Sequence, residues 1–391
     1  ERAVLVAAGD VDPAILEAKI AAVFGDWSQP GPPPPTDNFG SPKKRGLDVG
    51  YLVQPGLDES VTLSWVQPED NRVDSVARRR EVHQRLVAFT VLNRRLSKLS
   101  RQADSPVIDV RAGREVVHGA GIVTSITVRT RDGEWARGLQ AAEQELRRAL
   151  THGLQQAEVE REALEQKSPY MLAAANTGTR SNMEVADLIL GSVDTNRVPT
   201  DPQTDLDLYA ASITALKATD VTRVLKESFS GAGPVVFISS SKPIAGGEEA
   251  IRRAFHEGAA VSVAAPPAST IKEFMYRDFG PKGTVAERKV VPDLGVTLVR
   301  FANGVRLNVK PTNFEKDKVS VVARFDGGYL ALPKAKPGLA WALPFAFVEG
   351  GLGQLELQEL EQTEPGHFAG VFLNLDEAAF QLSGDTVERD V

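Results

Sequence analysis

The segment Pro30-Gly31-Pro32-Pro33-Pro34-Pro35 admits neither helix nor sheet, because proline fixes φ and lacks the backbone N–H that both ladders need. Such a run is a stiff, extended connector. The chain therefore divides there into separately folded blocks, and 391 residues give room for two to four domains with sizeable cores. Apolar residues at 42% and charged residues at 25% exclude wholesale disorder and collagen-like repetition. The longest apolar stretch, Gly338 to Val348, is too short for a bilayer and is broken by Pro344, so no membrane span is expected. A formal net charge of −7 removes any global electrostatic reason to bind nucleic acid. The basic cluster Arg78-Arg79-Arg80 reads as the solvated face of a helix.

Before the proline run, the apolar residues 2–8 read as a buried strand. Asp12-Pro13 then supplies an N-cap and a proline in the first turn for a helix through Ile15, Ile20 and Phe24, closed by Gly25-Asp26-Trp27. After the run, Asp48 to Val53 and Val61 to Val66 are strand-like. Val82, Leu86, Phe89, Leu92, Leu96 and Leu99 recur at three- and four-residue steps, which predicts a long helix with that stripe buried and its arginines outside. Strands return at 107–110 and 122–128, followed by an amphipathic helix through Trp135, Leu139, Ala142, Leu146 and Leu150. Further helix is expected from Gln155 to about Ala174 and from Thr219 to Phe229, and then the strand 234–238. From Lys242 to Pro292 the pattern weakens into a linker with one short helix near Glu248 to Phe255. Strands restart at 296–301, 305–309 and 319–325, and Asn303-Gly304 predicts a hairpin turn. The fold class is α+β: repeated units, each a mainly antiparallel sheet covered by helices.

Local chemistry is sparse. No cysteine is present, which excludes a disulfide framework, thiolate metal sites and thiol nucleophiles. The five histidines, His83, His118, His152, His256 and His367, include no pair at the i, i+3 or i, i+4 spacing of a helical metal site. Gly119-Ala120-Gly121 lacks the third glycine of a dinucleotide loop and precedes a strand. No phosphate loop and no Gly-x-Ser-x-Gly elbow occurs. Glu356, Glu359, Glu361 and Glu364 read as a solvated helix face.

Several segments resemble the inverzincin peptidases, the family of pitrilysin, insulin-degrading enzyme and mitochondrial processing peptidase. Ala8-Gly9-Asp10-Val11 through Trp27 looks like the closing strand and helix of a family domain. Arg94-Arg95-Leu96, Ile126 to Gly133, and Leu146 to Gly153 with Gln156 to Arg161 are similar to the family's non-catalytic, inactive domain. Phe301 to Leu307, Val319-Ser320-Val321, Gly327-Gly328 and Gly338-Leu339-Ala340 resemble the opening of a catalytic-type domain. After Gly-Leu-Ala the family places His-x-x-Glu-His. Here the positions read Trp341-Ala342-Leu343-Pro344-Phe345, so both metal-ligating histidines and the glutamate base are replaced, at Trp341, Phe345 and Pro344.

The resemblance implies five parts: 1–28 as the tail of a preceding catalytic-type domain, 29–45 as a proline-rich linker, 46–242 as the inactive domain, 243–292 as a linker, and 293–391 as a partial third domain with a degenerate metal motif. It implies an excerpt of a longer polypeptide. No catalytic or metal-binding residue and no cofactor is expected in this segment, with zinc held in the parent's catalytic domain. The implied function is the non-catalytic central portion of a zinc-dependent endopeptidase, supplying chamber wall and surface for a peptide or unfolded polypeptide and contacting the missing catalytic domain. The alternative is part of a catalytically dead peptide-binding or scaffolding homologue. Absence of cysteine, together with exported relatives, favours the periplasm over the cytoplasm. Trp341 and Phe345, apolar and one turn apart, are expected to be packed core with Pro344 bending or ending the helix.

Overall fold

The computed structural model describes residues 4–28, 31, 40–43, 45–117, 119–267, 274–315, 318–357, 359–360 and 371–386. Most of the proline run, His118, His367, Glu361 and Glu364 lie outside the described residues. The chain forms two compact units, one of Glu1–Lys167 with Ser181–Ser269 and the other of Ser168–Arg180 with Thr270–Val391.

The first unit begins with α1 (Pro13–Phe24), whose Asp12 side chain accepts a hydrogen bond from the Ala14 N–H, as the Asp-Pro signal predicts. Residues 4–8 form no strand, and Val4 and Leu5 are exposed. A strand is stable only on a neighbouring ladder, and none of the described residues pairs with this segment.

Strands β1 (Asp48–Val53) and β2 (Ser60–Gln67) lead to α2 (Val76–Ser100), the hairpin β3 (Val107–Val117) and β4 (Gly121–Thr130), and α3 (Trp135–His152). Then come α4 (Gln156–Glu165), α5 (Lys167–Ala175), which falls almost wholly in the second unit, α6 (Asn182–Asp194), α7 (Pro202–Ile213), α8 (Ala218–Ser228), β5 (Ala232–Ser240) and α9 (Gly247–Ala260). The sheet order is β1-β5-β2-β4-β3, with only β1 and β5 parallel. One face carries Val49, Val61, Leu63, Ile126, Val128, Val236 and Ile238, which make a single core with apolar residues of α2, α3, α8 and α9. This is the α+β arrangement the alternating strands and one-sided helices predict.

Two further expectations fail for identifiable reasons. In α2 the buried stripe is rotated, so that Val82 and Leu86 are exposed while Arg79, His83 and Arg95 are buried. Arg79 and Arg95 each meet carboxylates: Arg79 pairs with Asp74 and with the distant Asp205, and Arg95 with Glu158. Pairing removes the penalty that places arginine outside by default. The supposed linker after Lys242 also contributes to the first unit, because α9 buries Ala250, Ile251, Ala254 and Gly258 and packs along α3.

The second unit holds β6 (Val285–Val291), β7 (Val296–Phe301) and β8 (Arg306–Val309) in one antiparallel sheet. Strand β6 also lies inside the stretch expected to be linker. The Asn303-Gly304 turn joins β7 to β8, with the Gly304 N–H bonded to the Phe301 carbonyl at 2.9 Å. A second sheet contains β9 (Val319–Asp326), β10 (Val371–Leu375) and β11 (Ala379–Thr386) in the order β10-β11-β9, and α10 (Leu339–Glu349) packs on β10. Gly328 explains itself: φ is +59°, and a Cβ there would lie 2.2 Å from the Asp376 carbonyl oxygen.

Candidate functional site

The positions of the degenerate metal motif sit on α10. Trp341 and Phe345 are one turn apart, their ring centroids 5.8 Å from each other at 49°. They are 76% and 66% exposed, which corrects the expectation of packed core. The cause is visible in the sequence of α10: the helix is apolar all round, and β10 covers only one side of it, so part of its apolar surface faces outward. Pro344 lies within the helix and does not end it. An indole, a pyrrolidine ring and a phenyl ring offer no lone pair for Zn²⁺ and no base for its water, so these residues do not fit the metal. Among the described residues, no group of three or more His, Asp or Glu side chains is placed to hold a metal ion.

The carriers of the inactive-domain resemblance meet in the first unit. Arg95 Nε donates to Glu158 Oε1 at 2.9 Å and Nη2 donates to Oε2 at 2.5 Å, joining α2 to α4. Arg94 lies 2.6 Å from Glu162 and 2.8 Å from Glu165. Burial pushes the Glu158 carboxyl upward, but the Arg95 hydrogen bonds, its charge and the Gln155 N–H together hold it below the usual carboxylate range. These ion pairs fix two helices against each other. They are structural, since Glu158, Glu162 and Glu165 are all engaged by guanidinium groups.

The sheet face opposite the core has a different composition. Ser60, Thr62 and Ser64 on β2 stand beside Arg129, Thr127 and Ser125 on β4, and Ser239, Phe237 and Val235 on β5. Ser60 Oγ lies 2.9 Å from Ser239 Oγ, and Thr62 Oγ1 lies 3.3 Å from Thr127 Oγ1. The hydroxyls are short and can both donate and accept, and Gly50 and Gly113 keep neighbouring positions free of side chains. Such a surface offers hydroxyl donors and acceptors along β2 and β4, bordered on the β5 and β1 side by the exposed Phe237 and Leu52. Sequence reasoning passed over it, although the alternation Ser60-x-Thr62-x-Ser64 was available as a signal.

Residues 1–164 match the Peptidase M16 inactive domain. Residues 1–164 thus carry the inactive domain of the M16, inverzincin-type peptidases. The fold of the chain is similar to that of the periplasmic protease PqqL from Escherichia coli, at 16% identity and a TM-score of 0.58, covering 98% of this chain and 42% of that one. It is also similar to the ferredoxin protease FusC, solved as a point mutant in complex with Arabidopsis ferredoxin: 14% identity, TM-score 0.59, 97% of this chain and 42% of that one. A predicted insulinase family protease from Yersinia pestis aligns over 64% of this chain and 54% of its own at a TM-score of 0.50 and 17% identity. The chain thus spans less than half the length of PqqL and FusC. No curated protein matches it. No helix among its described residues is long and apolar enough to cross a membrane.

Proposed function

We propose that this chain is the non-catalytic portion of a zinc-dependent endopeptidase, in which it forms chamber wall and a surface for extended peptides while a catalytic domain outside the chain holds zinc and cleaves. The observation that carries this reading is the pairing of an inactive-domain match over residues 1–164 with a motif position that has lost every donor, at Trp341, Pro344 and Phe345. The hydroxyl-lined face of the first sheet is the surface assigned to the peptide, because its hydroxyls can both donate to and accept from a peptide backbone laid across it. FusC, solved with ferredoxin, and PqqL, named a periplasmic protease, support a polypeptide substrate and a periplasmic site for the parent.

The test has two arms. Purified chain is expected to bind a fluorescently labelled unstructured peptide by anisotropy, with binding weakened when Thr62 and Thr127 are both replaced by Val, and to leave that peptide uncut. Metal analysis is expected to find no stoichiometric zinc. A tightly held zinc with peptide cleavage, or peptide binding indifferent to the face substitutions, would overturn the assignment.

A further inference from the structure

Beneath the N-terminal half of α2, three polar side chains converge, each with a buried polar atom that lacks a hydrogen-bond partner among the described residues. Asn93 pins α2 over β3, its Nδ2 donating to the Ala112 carbonyl at 3.0 Å and its Oδ1 accepting from the Ala112 N–H at 2.7 Å. Two turns earlier on the helix is Arg85, and two residues further along β3, on the same face as Ala112, is Arg114. Because β3 runs back beneath α2, both guanidinium groups reach one region. The ladder continues across the core face from Arg114 to Thr124 on β4 and Trp65 on β2. Phe229 closes it below, edge-on to Trp65 at 5.2 Å and stacked on Phe89 at 5.7 Å.

The electrostatics of this region are unbalanced. Thr124 is fully buried, and its hydroxyl has no hydrogen-bond partner among the described residues; the same holds for the buried Nε atoms of Arg85 and Arg114. The nearby carboxylates are committed elsewhere: Asp70 and Glu81 to Arg72 at 2.9 and 2.7 Å, and Glu227 to Arg223 at 2.8 Å. Burial, reinforced by the charge of Arg85, pushes the Arg114 guanidinium down to about 10. Two adjacent cations and a buried hydroxyl donor, arranged around an aromatic wall, are costly alone and complementary to one negative group with several acceptor oxygens.

We propose that Arg85, Arg114 and Thr124 form a binding site for a single oxyanion of carboxylate or phosphate type. Guanidinium groups recognise either anion through paired N–H donors, and the threonine hydroxyl adds a third contact. Trp65 neighbours Thr124 in the ladder and so reports occupancy. The site stands whether or not the chain belongs to a working peptidase.

The experiment titrates tryptophan fluorescence with sodium phosphate at constant ionic strength, and separately with a short peptide bearing a free C-terminal carboxylate and with its amide. A saturable change is expected with phosphate, with the acid peptide, or with both, but not with chloride or the amide, and it should vanish in Trp65→Phe. Arg85→Gln, Arg114→Gln and Thr124→Val should each weaken binding about tenfold or more, as loss of a charge-assisted or buried hydrogen bond implies. Thr124→Val keeps side-chain shape and guards against loss of fold, which circular dichroism checks for all variants. Saturation by phosphate alone names a free oxyanion as the ligand, and saturation by the acid peptide names a chain terminus. The proposal is overturned if no anion exceeds chloride, if the signal survives Trp65→Phe, or if the folded variants bind like the unaltered chain.

Discussion

Arg95 and Glu158 face each other as a bidentate pair between α2 and α4, and both are nearly removed from solvent. The capping hydrogen bond from the Gln155 N–H to Glu158 Oε2 at 2.9 Å ties the same carboxylate to the start of α4. One carboxylate therefore caps a helix and docks it. Glu158→Gln keeps the shape but leaves a buried guanidinium without a counter-charge, and should cost about 3 kcal/mol in chemical denaturation. Replacing both residues by Met should cost less than the single change, because no uncompensated charge remains. Equal or greater loss in the double variant would show that the capping contact, rather than the ion pair, dominates.

His83 gives the fold a defined acid sensitivity. Its Nδ1 lies 2.9 Å from Ser212 Oγ, and its ring meets Tyr209 edge-on at 5.1 Å. Burial, followed by the charges of Arg197 and Arg79 and despite Asp205, lowers its pKa to about 4 from the ordinary 6.5. The folded value is depressed, so the unfolded chain binds a proton that the fold refuses between those limits, and stability falls as pH drops from about 6.5 towards 4. The loss should approach about 3 kcal/mol at the lower limit. Asp70 and Asp74, both lowered to about 2 by hydrogen bonds from Arg72 and Arg79, act mainly below this window. Urea midpoints measured from pH 7 to pH 4.5 should fall in the unaltered chain and flatten in His83→Asn. An unchanged slope in the variant would assign the sensitivity elsewhere.

How far the sequence could be read follows from which interactions are local. The Asp12-Pro13 cap and the Asn303-Gly304 hairpin rest on neighbouring residues, and the strands of the first sheet show local alternation although β5 reaches β1 and β2 from far along the chain, so all are legible. The burial of Arg95 is not, because Glu158 reaches it only through the fold, and Arg79 adds the distant Val198 carbonyl and Asp205 to its local partner Asp74. The same holds for β6 (Val285–Val291), whose charged centre Glu287-Arg288-Lys289 and exposed course read as connector until β7 pairs with it. At Trp341 and Phe345 the loss of metal donors was evident from residue type alone, whereas their exposure depends on how much of α10 the rest of the second unit covers.

That exposure changes the expected cost of altering Trp341. A buried tryptophan replaced by alanine costs about 3–5 kcal/mol, but a ring 76% exposed gives up little apolar burial. Trp341→Ala should therefore shift stability by less than about 1 kcal/mol, the remaining loss being its contact with Phe345. Its fluorescence should also be quenched readily by iodide. A large drop in melting temperature, or resistance to quenching, would place the ring in a packed setting after all.

Gly138 makes the sharpest steric prediction. It lies in the first turns of α3, where the helix crosses β4, and a Cβ built on it would come 2.3 Å from Thr130 Cγ2. Thr130 cannot simply rotate away, because its hydroxyl donates to the buried Glu59 carboxylate at 2.9 Å. Gly138→Ala improves helix propensity by about 1 kcal/mol, yet the overlap forces α3 off the sheet and should outweigh that gain, with a net loss of about 1–2 kcal/mol. Thr130→Ser removes the clashing methyl and keeps the hydroxyl. The pair Gly138→Ala with Thr130→Ser should then recover most of the loss, and the two changes should be strongly non-additive in a double-mutant cycle. Additivity would mean that Gly138 is required for its backbone freedom and not for the close approach of α3 to β4.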